Sequence, residues 1–170
     1  MSLVFKRGYV LGVGIADLLV EHGTIQAIGP DLHGKRAIDA AGKLIVPGFV
    51  DTHRHMAQAP LRGFGADMDL GYYLERIVRH IGAGMTVEDV RTSLRLAAAE
   101  AMNAGVTTVL DWSAVSDRER AAVAVETLGG TGLRVVFGHS NPDDMHPDAQ
   151  AVASLGPDYL PVDVVARHIG

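Results

Sequence analysis

Apolar and polar positions along the chain fall into two regimes. Up to Lys43, short apolar runs alternate with turn residues. Leu18-Leu19-Val20 and Thr24-Ile25-Gln26-Ala27-Ile28 flank Glu21-His22-Gly23, where the glycine can take the positive φ that a hairpin loop requires. Gly29-Pro30-Asp31 supplies a second turn, and a strand is predicted around Arg36 to Asp39. Residues 1–43 therefore read as a small β unit that precedes the main domain.

From Leu44 the spacing changes to strands alternating with helices, as expected of a parallel sheet with crossover helices, and residues 44–170 form the second region. Leu44-Ile45-Val46-Pro47-Gly48-Phe49-Val50 is nearly all apolar and predicts one strand covered on both faces. Asp69 can cap a helix whose Leu70, Tyr73, Leu74, Ile77 and Val78 share a face. Thr86 with Asp89 predicts a capping box for a second helix, in which Val90, Leu94, Ala97, Ala98 and Ala101 repeat at helical spacing until Gly105 stops it. Val106-Thr107-Thr108-Val109-Leu110-Asp111 predicts a second parallel strand. Ser116 with Glu119 caps the next helix, Gly129-Gly130 ends it, and Leu133-Arg134-Val135-Val136-Phe137 is the third strand. Pro147 marks the first turn of one more short helix, and beyond Pro157 the pattern predicts no element.

Composition narrows the partners. Fifteen Lys plus Arg against 20 Asp plus Glu give a net charge of -5, with no basic run to neutralise phosphates, so nucleic acid is not an expected partner. There is no cysteine, which leaves His, Asp and Glu as metal ligands and fits a reducing, cytoplasmic compartment. Lys6 to Leu11 begins like a signal peptide, but Gly12, Gly14 and Asp17 interrupt the apolar run; no stretch reaches the roughly 18 apolar residues of a membrane helix, so no membrane partner is expected.

The candidate chemistry lies in Asp51-Thr52-His53-Arg54-His55, at the end of the first parallel strand. Side chains alternate across a strand, so His53 and His55 project to one face and Arg54 to the other. Two imidazoles side by side at a strand's C-terminal end can hold one divalent cation, and Asp51 shares their parity and can orient a ligand. A His-x-His by itself is an ordinary coincidence; its place at the end of a buried strand gives it weight.

Three stretches, Gly23-Thr24-Ile25-Gln26-Ala27-Ile28-Gly29, Ile38-Asp39-Ala40-Ala41-Gly42-Lys43 and Val46-Pro47-Gly48-Phe49-Val50-Asp51-Thr52-His53-Arg54-His55, together resemble the opening of the amidohydrolase superfamily. Leu61-Arg62-Gly63, Thr86-Val87-Glu88-Asp89-Val90 and Ala104-Gly105-Val106-Thr107-Thr108-Val109 resemble its cytosine deaminase and triazine hydrolase (chlorohydrolase) branch. The resemblance runs to about Phe137. It implies an α/β fold: the first three or so βα units of a TIM (β/α)8 barrel, preceded by N-terminal strands of a small β-sandwich built from both chain ends. A whole barrel takes about 250 residues. Residues 44–170 supply roughly half, so the expectation is a fragment or truncated reading frame, inactive alone, whose later ligands and proton relay lie elsewhere.

The same resemblance implies that His53 and His55 bind zinc, with iron as the alternative. In complete relatives the metal lowers the pKa of bound water to about 7 and the hydroxide attacks an sp² carbon, so that a small nitrogen heterocycle is deaminated. It also implies a homo-oligomer. No catalytic acid or base is assignable.

Four residues are candidates for substrate contact. Gln58 follows His55 as in a guanine deaminase motif whose glutamine reads the purine edge; its alternative is a solvated loop residue. Arg62 lies on the long Met56–Met68 connection and meets a polar substrate group or makes a surface salt bridge. Trp112, the only tryptophan, either stacks on a heterocycle or is a core or rim aromatic. His139 ends the third strand and either binds substrate or is structural. Two other readings of the chain compete with the deaminase: a non-catalytic binding or assembly module, and a dinuclear hydrolase of the dihydroorotase or hydantoinase type.

Overall fold

A computed structural model describes residues 2–113, 117–139 and 159–161. The chain divides into two compact units, Met1–Pro47 and Gly48–Gly170.

In the first unit, β1 (Ser2–Val10) pairs antiparallel with β2 (Gly14–Glu21), and β2 with β3 (Thr24–Gly29). On the other side of β1, β4 (Arg36–Asp39) and β5 (Leu44–Ile45) lie parallel to it. The predicted hairpin turn between β2 and β3 is present, with φ of 50° at His22 and 77° at Gly23; two positive φ values match the right-handed twist of the strands it joins. The register of β1 slips between Phe5 and Gly8, and Arg7 there has φ 61°. That bulge presents the Arg7 N–H to the carboxylate of Asp17, 2.9 Å away. Asp17 also accepts from the Lys6 ammonium and from the Leu32 N–H at 3.2 Å, so the polar pin of this unit is donor-rich.

The predicted strand over Leu44 to Val50 is two strands. Leu44 and Ile45 pair with β1, Val46 to Gly48 make no ladder, and β6 (Phe49–Arg54) starts the second sheet. Pro47 has no N–H to give a ladder, which ends one strand before the other begins. The division between units thus falls after Pro47 instead of Lys43. Nor is the segment covered on both faces: Leu44, Phe49 and Val50 are each about 60 % exposed, at 61, 59 and 63 %.

In the second unit a parallel sheet runs in the order β6, β7 (Val106–Ser113), β8 (Arg134–His139), β9 (Tyr159–Pro161). The last strand, which the sequence pattern did not predict, pairs with β8 from Phe137↔Tyr159 to His139↔Pro161. Crossing from β6 to β7, a short 3₁₀ turn (Met56–Leu61) leads to α1 (Leu70–Tyr73), a wider π-helical stretch (Leu74–Ile81), α2 (Gly82–Gly84) and α3 (Val87–Asn103). Crossing from β7 to β8 is α4 (Arg118–Gly129).

α3 forms as its sequence predicts. Thr86 and Asp89 make the reciprocal capping box, Gly105 leaves the helix at φ 82°, and all five predicted apolar positions are buried. Val90, Leu94, Ala97 and Ala98 pack with Ala121, Ala124 and Leu128 of α4 and with Val109 and Phe137 of the sheet, forming one core.

The helix capped by Asp69 departs from expectation. Ile77 is buried and Tyr73 and Val78 are half-buried, but Leu70 and Leu74 are 71 and 41 % exposed. The π-helical turns widen the spiral, and a stripe spaced for 3.6 residues per turn slides off the buried side. The cap of α4 is Asp117, whose carboxylate accepts the Arg120 N–H at 2.8 Å. Ser116, expected in that role, and the short helix expected at Pro147 lie outside the described residues. Among the described residues no helix is long and apolar enough to cross a membrane.

Candidate metal centre

His53 and His55 stand at the C-terminal end of β6 with ring centroids 5.2 Å apart and ring planes at 90°. The alternation predicted from the sequence is present. Arg54, between them, takes the other side, reaching the Glu100 carboxylate on α3 at 3.3 Å and the Asp51 carboxylate at 3.6 Å. Asp51 is therefore bound to Arg54, and its other oxygen accepts the His53 backbone N–H at 3.2 Å; it braces the strand end without touching an imidazole.

The ladder between β6 and β7 slips between Asp51 and Arg54, so β6 alone does not fix how its end is turned. β7 supplies the missing constraint. The carbonyl of Trp112 lies 2.7 Å from His55 Nδ1; a carbonyl only accepts, so Nδ1 carries the proton and Nε2 keeps its lone pair. The indole of Trp112 stacks on His53 with centroids 4.9 Å apart and planes 28° from parallel. One residue earlier, Asp111 Oδ1 accepts the buried N–H of Met56 at 2.9 Å.

This donor set fits a divalent cation. One imidazole has a lone pair freed by its hydrogen bond, the centroid of the second ring is 5.2 Å away, and zinc and its neighbours in the transition series accept neutral imidazole readily, so the two could hold one ion. Among the described residues, no group of three or more His, Cys, Asp or Glu is arranged to complete a ligand set.

The structure distributes the four expected substrate residues unevenly. Gln58 and Trp112 line one apolar pocket of about 30 Å³ together with His55, Leu61, Ile77 and Met85. Gln58 Oε1 accepts from the hydroxyl of Tyr73, so its carbonyl is already engaged. Trp112 presents one indole face to His53. Arg62 is exposed and forms a salt bridge with Glu100, the alternative the sequence allowed, and it is not brought to the histidines. His139 ends β8 opposite Ser113 in the register; its side chain lies outside the described residues.

The sequence pattern ends the second parallel strand at Asp111 and gives neither it nor Ser113 a role. Both are buried, at 0 and 1 % exposure, and among the described residues Asp111 Oδ2 and Ser113 Oγ have no hydrogen-bond partner. Burial pushes the Asp111 carboxyl up to about 7, against the Met56 N–H and the Arg54 charge, which lower it. The available signal was the alternation itself: Asp111 shares the inward parity of the fully buried Val109. Arg120 is a second omission. Its guanidinium donates to the carbonyls of Gly82 at 3.2 Å and Ala83 at 3.0 Å, tying α4 to the end of the helical wall of the pocket.

A parallel sheet with helical crossovers carries a His-x-His at the carboxyl end of its first strand, the end at which (β/α)8 barrels place their functional groups. The chain belongs to the amidohydrolase family, whose model matches residues 44–159. It is similar to a 5-methylthioadenosine/S-adenosylhomocysteine deaminase of Symbiobacterium thermophilum, 36 % identical over 154 residues that cover 84 % of this chain and 35 % of the relative. The fold is similar to that of an adenosine deaminase from Xanthomonas campestris with bound zinc, with a TM-score of 0.74 and 22 % identity over 92 % of this chain and 41 % of that one. It is also similar to a triazine hydrolase variant, with a TM-score of 0.71 and 20 % identity over 98 % of this chain and 41 % of that one. The chain thus spans about a third of the length of the curated relative it matches.

Proposed function

We propose that the chain supplies the first two metal ligands, His53 and His55, of a deaminase acting on a purine nucleoside or a related nitrogen heterocycle. The observation that carries this reading is the imidazole pair at the end of β6, with His55 protonated at Nδ1 and its Nε2 free. The similarity to deaminases of 5-methylthioadenosine and S-adenosylhomocysteine supports the substrate class. A bound divalent cation, zinc in this reading and iron as the alternative, would lower the pKa of a water to about 7 and so provide a nucleophile at neutral pH.

The chain's own residues hold and surround the reacting region. His53 and His55 bind the ion. Gln58, placed by Tyr73, and the apolar wall of Leu61, Ile77 and Met85 enclose a pocket of about 30 Å³, room for a water and not for a ring, so the heterocycle would lie over its mouth, with Gln58, Trp112 and His139 as contacts. The sheet of β6 to β9 is the beginning of a (β/α)8 barrel and β1 to β5 are part of a small β-sandwich; the remaining ligands and the proton relay come from later barrel strands. A cytoplasmic homo-oligomer completes this reading.

The test is ammonia release from 5′-methylthioadenosine and S-adenosylhomocysteine by the protein in which this chain is joined to the later barrel strands, with metal content measured on the same protein. Wild type should contain about one divalent ion per chain and be inactivated by chelation, and His53→Ala and His55→Ala should lose both ion and turnover. Retention of activity by either variant would refute the assignment.

A further inference from the structure

A buried acceptor left unsatisfied costs about 1 to 3 kcal/mol, so a core strand that carries two of them in a row invites a reason. Among the described residues Asp111 Oδ2 and Ser113 Oγ are such atoms, at successive inward positions of β7. They stand beside the histidine pair, and the bonded oxygen of Asp111 shows what the strand end does. Asp111 holds the Met56 N–H at 2.9 Å, Trp112 accepts the His55 Nδ1 proton through its carbonyl at 2.7 Å, and the Trp112 indole lies 4.9 Å from the His53 ring. Two consecutive residues of β7 thus grip His53, His55 and Met56, where the β6 ladder has slipped out of register.

We infer that Asp111 and Trp112 are positioning residues that preset both imidazoles, in tautomer and in orientation, for a metal ion. The inference rests on reading the pair as a metal site. It gives the single tryptophan a task other than stacking on substrate: one indole face supports His53, while its backbone carbonyl selects the nitrogen of His55 that stays free. Asp111 acts through the Met56 peptide. That peptide follows His55 directly, so anchoring it limits rotation of the residue that carries the ligand. Histidine ligands in general depend on such partners to fix tautomer and ring direction.

The experiment is nitrogen-proton correlation spectroscopy of the imidazole rings in the neutral state, combined with Co²⁺ titration. In the wild-type chain His55 should be protonated at Nδ1, and Co²⁺ should perturb both rings. Asp111→Leu keeps the side-chain branching and removes the acceptor; it should convert His55 to a mixture of tautomers and weaken Co²⁺ binding about 10- to 100-fold. Asp111→Asn, which keeps an oxygen for the Met56 N–H, should restore both properties. Trp112→Leu should leave the His55 tautomer unchanged, because the carbonyl is backbone, and abolish the ring-current shift of His53. A wild-type His55 protonated at Nε2 overturns the inference, and this measurement decides even where Asp111→Leu does not fold. A folded Asp111→Leu with unchanged tautomer and Co²⁺ affinity also overturns it. Failure of Co²⁺ to perturb either wild-type ring overturns the metal assignment itself, separately from the tautomer.

Discussion

Two buried aspartates, one in each unit, put the same side chain to opposite uses. Asp17 receives the Lys6 ammonium, the Arg7 N–H and the Leu32 N–H; these donors, the Lys6 hydrogen bond foremost, hold its carboxyl below the ordinary value of 3.8. Asp111 has the Met56 N–H on one oxygen and, among the described residues, no partner on the other, and burial drives it up to about 7. The number of donors decides the outcome. A saturated carboxylate is an anchor for its sheet, whereas the one with a single donor lies on the strand that carries Trp112, the residue that holds both imidazoles.

The surroundings differ in the same way. The first unit relies on strand ladders, turns and its polar pin, and leaves Tyr9, Ile15 and Leu44 largely exposed. The second relies on the apolar core shared by α3, α4 and the sheet. The largest expected effect therefore comes from that core: Leu94→Ala, at a fully buried position, should cost about 2 to 5 kcal/mol in denaturant unfolding of the second unit. A much smaller loss would show that the core is not what distinguishes the two regions.

Next in size is Asp17→Ala, which strands three donors at once. Because the folded carboxyl titrates below its unfolded value, its stabilisation is complete above about pH 4 and disappears as the pH falls through the folded pKa. Urea titrations should thus show a wide gap between wild type and Asp17→Ala at neutral pH, closing in acid.

Asp111 carries the reverse sign. Between 3.8 and about 7 the folded carboxyl keeps a proton that the unfolded chain has released, so its contribution is greatest in acid and declines as the pH rises toward 7. Asp111→Asn, which cannot ionise, should flatten that decline between about pH 4 and pH 7. If both aspartates gave the same pH slope, the contrast would fail.

The smallest effect calibrates the others. Thr86→Ala removes one side of the α3 capping box, at a position remote from either aspartate, and should cost about 0.5 to 2 kcal/mol at all of these pH values above the titration of Asp89. The Asp89 carboxyl is itself held low by the hydroxyl and N–H of Thr86, so this cap also weakens in acid.

Local rules were legible in the amino-acid order. The Thr86–Asp89 box, the α3 stripe ending at Gly105, the His22-Gly23 turn and the common side of His53 and His55 all depend on spacings within a few residues, and each stands as read. Where a wider spiral or a break in a ladder intervened, spacing misled: the π-helical turns take Leu74 out of the stripe that Ile77 buries, and Pro47 divided one apparent strand into two.

What the sequence determined by itself was therefore the identity of the candidate ligands and the elements that carry them, because strand alternation and helix capping act between near neighbours. Tertiary structure decided which nitrogen of His55 is free, that Trp112 supports His53, that Arg62 goes to Glu100, and that Asp111 receives the Met56 N–H. Those facts arise from pairs more than 35 residues apart in the chain, as with His55 and Trp112 at a separation of 57, and no local pattern encodes the distance between them.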